Sequence, residues 1–239
     1  MTRFQRSMIA GLAAGLLLAS PMSLVANEPS PSNWDGLVQV KSKKLDAVFL
    51  LPGEDFRAYT KVMIDPAEVA FAKNWMRDIN SQQHGLSRRV TQEDADEIMA
   101  AARTNFADVF AEEFLKGGYK VVQSPGPDVL RLSPGIINLY VTAPDTMSAG
   151  RTRTFTVESG SATLFIEVRD STTGALMARV ADSRATRASA RLSYSNSVTN
   201  LADFRDLFRQ WAKISVTGMD HLKELSPVPA ELEAGQKLQ

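Results

Sequence analysis

Residues 161–180 read SATLFIEVRDSTTGALMARV, and this stretch decides the fold. From Ser161 to Asp170, Ala162, Leu164, Ile166 and Val168 alternate with Thr163, Phe165, Glu167 and Arg169. After Ser171-Thr172-Thr173-Gly174, Leu176, Ala178 and Val180 alternate in the same way. A period of two puts successive side chains on opposite faces of a strand, and a short Ser/Thr/Gly segment between two such runs closes a hairpin. The pattern predicts a long antiparallel hairpin with one apolar face that other elements must cover.

Two helical patterns supply the cover. Thr91, with Asp94 three residues on, makes a capping-box start, and Ile98, Met99, Ala102, Phe106, Val109, Phe110 and Phe114 then recur at helical spacing until Gly117-Gly118. A second helix opens at Thr199 or Asn200 as N-cap, with Asp203 in its first turn. It puts Leu201, Phe204, Phe208, Trp211, Ser215, Gly218 and Leu222 on one face. A mid-helix glycine costs about 1 kcal/mol against alanine, so Gly218 is expected either to permit close packing on the sheet or to split the helix.

Further strands are expected at Leu45–Leu51, stopped by Pro52-Gly53-Glu54-Asp55, and at Tyr59–Ile64, the two pairing as a hairpin. Tyr119–Gln123 reads as a short strand. Val129–Val141 reads as a longer one, interrupted at Ser133-Pro134-Gly135, where proline removes a ladder donor and predicts a bulge, a bend or an edge. Residues 66–90 give no clear pattern, although Val69, Phe71 and Trp75 are apolar. The elements compose an α+β fold: a predominantly antiparallel, or else mixed, sheet with two long helices packed on one face.

The N-terminus reads as a secretory signal. Arg3 and Arg6 precede an apolar run from Met8 to Ala19, followed by Pro21 and the small residue Ala26. The expected organisation is a signal peptide over 1–26, a flexible leader over 27–33, one α+β domain over 34–225 and a loose polar tail over 226–239. Cleavage after Ala26 implies a periplasmic location. The alternative is an uncleaved segment that tethers the chain to the inner membrane, since Met8 to Ala26 approaches the roughly 20 residues a span requires.

Lys+Arg and Asp+Glu balance at 27 each over 239 residues; removing 1–26 leaves 213 residues with 25 against 27, a formal charge of −2. That balance provides no global field for nucleic acid or anionic lipid. There is no cysteine, so an exported chain of this composition relies on its apolar core rather than on disulfides, and has no thiol for a lipid anchor.

Motifs for catalysis fail one after another. His84 and His221 have no histidine or cysteine at ligand spacing, which leaves no metal motif and no cofactor to expect; His221 suits the negative end of a helix dipole. No Gly-x-Ser-x-Gly, Ser-x-x-Lys, phosphate loop or dinucleotide glycine pattern occurs. The carboxylate pairs Glu93-Asp94, Asp96-Glu97, Glu112-Glu113 and Asp203 with Asp206 lie at helix N-termini or on polar helix faces, where solvation is the expected role. Asp170 to Gly174 superficially resembles a phosphoryl-acceptor loop, but lies between two alternating strands and reads as a hairpin turn.

One charge bias survives. Arg179, Arg184, Arg187 and Arg191 follow the hairpin, and Arg151 and Arg153 precede it. Arg184, Arg187, Arg191, Arg151 and Arg153 are the candidate anion-binding set, because guanidinium groups gathered at one sheet edge hold phosphate or carboxylate in bidentate fashion. The competing role is protection of a sheet edge against association. Trp34 and Tyr194 fall outside the periodic elements and are candidates for an interaction surface.

Several of these segments, taken in order, resemble the bacterial family called domain of unknown function 3313. They are Lys44-Leu45-Asp46-Ala47-Val48 with Pro52-Gly53, the hairpin from Asp170 through Arg184, Asn196-Ser197-Val198-Thr199-Asn200, and Trp211-Ala212. The likeness spans roughly residues 34–225. It implies an exported envelope protein with no established activity and no catalytic residues to carry over. Many members carry a lipoprotein signal; this chain departs there, with Ala19-Ser20-Pro21 and no cysteine, so no lipid anchor is expected. The function expected is non-enzymatic: an interaction or accessory protein that meets an envelope protein or glycan. The alternative is a binder of a small anionic ligand through the arginines, and a hydrolase ranks last.

Overall fold

A computed structural model describes residues 33–82, 89–142, 154–156, 160–186, 193–195 and 197–237. In chain order the elements are β1 (Asn33–Trp34), β2 (Leu37–Val40), β3 (Ala47–Leu50), β4 (Lys61–Ile64), β5 (Glu68–Phe71), α1 (Trp75–Gln82), α2 (Gln92–Lys116), β6 (Lys120–Val121) and β7 (Val129–Val141). They continue with β8 (Thr154–Thr156), β9 (Gly160–Asp170), β10 (Leu176–Ala185), β11 (Ser193–Ser195) and α3 (Ser197–Leu225). The fold is α+β, with three helices and a mixed, mostly antiparallel sheet among the described residues.

The hairpin at 161–180 forms the middle of the sheet as β9 and β10, which pair antiparallel from Leu176↔Arg169 to Ala185↔Ser161. Asp170 shapes the turn: its Oδ1 accepts from the backbone N–H of Thr172 and Thr173, and Gly174 takes φ 74°. The hydroxyl of Tyr59 donates to its other oxygen at 2.8 Å. The Thr173 N–H, opposed by burial and aided by Tyr59, holds the Asp170 carboxyl below the ordinary aspartate range.

The sheet runs β1-β2-β3-β10-β9-β7-β4-β6, with β5 also pairing β7. The expected hairpin between 45–51 and 59–64 does not form. β3 pairs antiparallel with β2 and β10, whereas β4 lies parallel to β7 and β6 on the far side of the sheet. Local turn chemistry at 52–55 ended the strand but did not reverse it onto its neighbour.

Pro134 stays inside β7 without a bulge and pairs with Ile166 in unbroken register; the irregularity falls between Ile137 and Tyr140, where Asn138 has φ 51°. The N–H of Asp65 donates to the Leu132 carbonyl, so the next bond of that parallel ladder would need an N–H at position 134. Proline lacks it, and β4 stops there; β5 then takes over the same flank from Gly135.

Helix α2 begins as the sequence predicts, with Thr91 and Asp94 forming a reciprocal capping box. It buries Ala95, Ala102, Phe106, Val109, Phe110 and Phe114. Residues 66–90 resolve into β5 and α1, whose Trp75 is buried, stacks on Phe71 and donates from Nε1 to the Val141 carbonyl at 3.0 Å. Gly117 lets α3 come close to the end of α2, since a Cβ there would lie 2.4 Å from Val216 Cγ1.

The C-terminal segment is not the loose tail its polarity suggests. Val228 and Leu232 are buried, the Gly53 N–H donates to the Val228 carbonyl at 3.0 Å, the Val228 N–H donates to the Glu54 carbonyl at 2.8 Å, and the Lys41 N–H donates to the Gln236 carbonyl at 2.9 Å. Two aliphatic residues together with these backbone hydrogen bonds seat it. No helix among the described residues is long and apolar enough to cross a membrane.

Candidate functional site: a cleft beneath the last helix

The first half of α3 is packed tightly. Phe204, Leu207, Phe208, Trp211 and Ala212 are buried, with Phe208 edge-on to Phe106 of α2 and stacked with Trp211. Trp211 Nε1 donates to Asp182 Oδ2 at 2.8 Å. Asp182, only 3% exposed, also accepts from Arg184 and from the backbone N–H of Asp46. A buried carboxylate requires this many donors to offset its lost hydration, and here they tie α3, β10 and the 41–46 segment together. Sequence reasoning missed Asp182. Its signal was parity: it follows Ala178 and Val180 on the inward face of an alternating strand, where an acidic residue is out of place.

Beyond Trp211 the helix changes character. Ile214, Ser215, Gly218, Met219, His221 and Leu222 roof a cleft of about 500 Å³, floored by Val40, Val48, Leu50, Leu132, Ile166, Val168, Ala178 and Val180 of the sheet and closed at one side by Phe114. Neither expectation for Gly218 holds: α3 runs unbroken through it, and a Cβ built there meets nothing within 4 Å. The glycine faces the cleft and leaves it open. Lys41, Ser42, Lys43, Lys44 and Lys237 rim the opening.

The arginines predicted as an anion site divide. Arg184 is engaged internally, with Asp182 and, from Nη2 at 2.5 Å, with the Lys44 carbonyl. Arg187, Arg191, Arg151 and Arg153 lie outside the described residues, as does His84. Arg179 lies five residues before Arg184, and so on the opposite face of β10. There it donates to Glu167 at 2.7 Å and to Asp35 at 3.1 Å. Burial raises the Glu167 carboxyl, but Arg179 and Arg169 outweigh it and hold the group below its ordinary value. Trp34 and Tyr194 fall in β1 and β11; their side chains lie outside the described part.

Of the carboxylate pairs, Asp94 serves the cap, while Glu113 departs from the solvated role. It is buried between α2 and α3, 3.1 Å from Lys116 and 3.9 Å from Arg209. His221 is exposed, with Nδ1 3.8 Å from Glu224. Among the described residues no group of three His, Cys, Asp or Glu side chains is placed to hold a metal.

The model of one protein family matches residues 27–214, most of the chain. The chain belongs to the family described as protein of unknown function DUF3313. No curated protein matches the sequence. Among solved structures, the chain is similar to the PelC dodecamer from Paraburkholderia phytofirmans, at 10% identity and TM-score 0.35 over 70% of this chain and 96% of that one. It is also similar to protein XCC0632 from Xanthomonas campestris, of family DUF330, at 13% identity and TM-score 0.37 over 74% and 92%. Likenesses this loose carry no functional argument for a DUF3313 member.

Proposed function

We propose that this protein is an exported, periplasmic binding protein without catalytic activity, which holds an apolar small molecule in the cleft beneath the second half of α3 on behalf of another envelope component. The cleft carries this reading. Protein interiors close-pack with few voids larger than a water, so about 500 Å³ left open under one helix reflects the choice of Ser215 and Gly218 at positions that face the sheet. The volume falls within the roughly 300–1,000 Å³ of small-molecule pockets, and the floor is aliphatic.

The reading takes α2 and α3 to cover one face of the sheet. Support comes from Phe114 and Met219, which line the same space as Leu132, Ile166 and Ala178. Two hydroxyls at the cleft are engaged by the backbone. Ser42 accepts from the N–H groups of Lys44 and Leu45, and Thr217 donates to the Lys213 carbonyl. The arginine route to an anion is less favoured, because Arg184 already serves Asp182 and Lys44.

The full chain should bind the apolar fluorophore N-phenylnaphthylamine saturably, and Gly218→Trp should abolish binding while leaving the melting temperature within a few degrees. Binding that Gly218→Trp leaves intact would contradict the cleft. The mature N-terminus, read from exported protein, should be Asn27; an intact Met1 would indicate the membrane-tethered alternative.

A further inference from the structure

We infer that the ligand of this cleft is a single-chain amphiphile with an anionic head, its chain lying beneath Gly218 and its head against Lys41, Lys43, Lys44 and Lys237. The inference rests on the cleft reading and adds the chemical class of the ligand. Its observation is the distribution of charge. Elsewhere on the described surface many basic side chains meet carboxylates, as Arg57 does Asp55, Lys61 Asp128, Arg131 Asp65 and Arg209 Asp206, although Lys73, Lys120 and Lys213 form no ion pair among the described residues. What sets the rim apart is that four lysines share one opening. The four lysines at the rim are exposed and none has a carboxylate partner among the described residues.

The nearby acids are engaged elsewhere. Asp46 accepts from the N–H of Ser183, Asp220 from the hydroxyl of Tyr119, and Glu224 faces His221. Four like charges around an apolar opening repel one another and attract an anion to that point.

Their placement is built into the fold. Ser42 Oγ pins the 42–45 turn, and the docked C-terminal segment brings Lys237 into register beside Lys41, held by the Lys41 N–H on Gln236 and the Gly235 N–H on Gln39. An aliphatic floor with a cationic rim matches an alkyl chain ending in carboxylate or phosphate, and opposes a cationic head. A second chain roughly doubles the apolar volume to be housed, so one chain is the occupant better matched to about 500 Å³.

The test is displacement of N-phenylnaphthylamine from the full chain by dodecanoate, dodecyl phosphate, dodecanol and dodecyltrimethylammonium at one ionic strength. Both anions should displace about tenfold better than dodecanol, with the cation weakest; their ratio tells whether the natural head is carboxylate or phosphate. Lengthening the carboxylate chain by two methylenes should tighten binding roughly tenfold until the cleft is filled. Lys41→Glu with Lys44→Glu, both exposed at the rim, should remove the preference for anions over dodecanol.

Equal displacement by anion, alcohol and cation, or charge reversal without effect, overturns the head assignment while leaving the cleft reading in place. A two-chain phosphatidylglycerol that competes as well as dodecanoate overturns the single chain. Dimerisation that expels the fluorophore assigns the cleft to a second copy. A fluorophore that enters only after residues 1–26 are removed assigns it to the chain's own N-terminal segment. Failure of all four amphiphiles together with insensitivity to Gly218→Trp overturns the cleft reading itself.

Discussion

The two halves of α3 lie over the same sheet and have opposite packing. From Phe204 to Ala212 the inward positions carry three aromatic residues, all buried, and a buried carboxylate anchors the last of them. From Ile214 to Leu222 the inward positions include Ser215 and Gly218, and the space beneath stays open. A helix that had only to be held down would continue its apolar stripe to the end. The difference separates a half that secures the element from a half that forms a chamber.

Breaking the packed half should have the largest effect. Trp211→Ala removes a fully buried ring and leaves Asp182 short of a donor, and should cost about 3–5 kcal/mol in denaturant unfolding. Asp182→Ala leaves the Trp211 N–H and the Arg184 guanidinium without their carboxylate, and should cost about 1–3 kcal/mol by the same measurement.

The open half should respond the other way. Gly218→Ala meets no atom and removes the conformational freedom of glycine, so it should stabilise by up to about 1 kcal/mol with ligand binding retained. A loss of stability there would mean that the helix depends on the glycine for packing after all.

A change outside both halves sharpens the contrast through pH. The Asp170 carboxyl is held below its ordinary value in the fold, so its contribution is complete above about pH 4, the unfolded range, and is lost as pH falls through the lower folded value. The stability difference between the native chain and Asp170→Asn should therefore shrink as pH falls below about 4, with ligand binding at neutral pH unaffected.

The sequence showed the β9–β10 hairpin, the capped α2 and the inward face of α3 because each follows a local period over ten residues or more. It misjudged what depends on distant partners. The strand at 61–64 pairs in parallel with β7, which no local turn encodes. Pro134 is tolerated because two partner strands change over beside it. Residues 226–237 dock through two aliphatic side chains and backbone hydrogen bonds.

The candidate site was half legible. Gly218 stood out on an otherwise bulky face, yet only the sheet opposite shows that it and Ser215 border an open cleft. The lysines at 41–44 gained meaning when the C-terminal segment placed Lys237 beside them. The arginines drew attention by their number along the chain, but strand parity already puts Arg179 and Arg184 on opposite faces.

The central claim is that the second half of α3, and not the first, covers a ligand. A dodecanoate carrying a photoactivatable diazirine at its chain end, irradiated with the full chain and mapped by peptide mass spectrometry, tests it directly. The account predicts adducts concentrated on 214–222 and on the facing strand residues of 40–50, competed away by dodecanoate and absent in Gly218→Trp. Adducts spread in proportion to exposed surface, or placed on the outer face around Phe165 and Ile137, would contradict it.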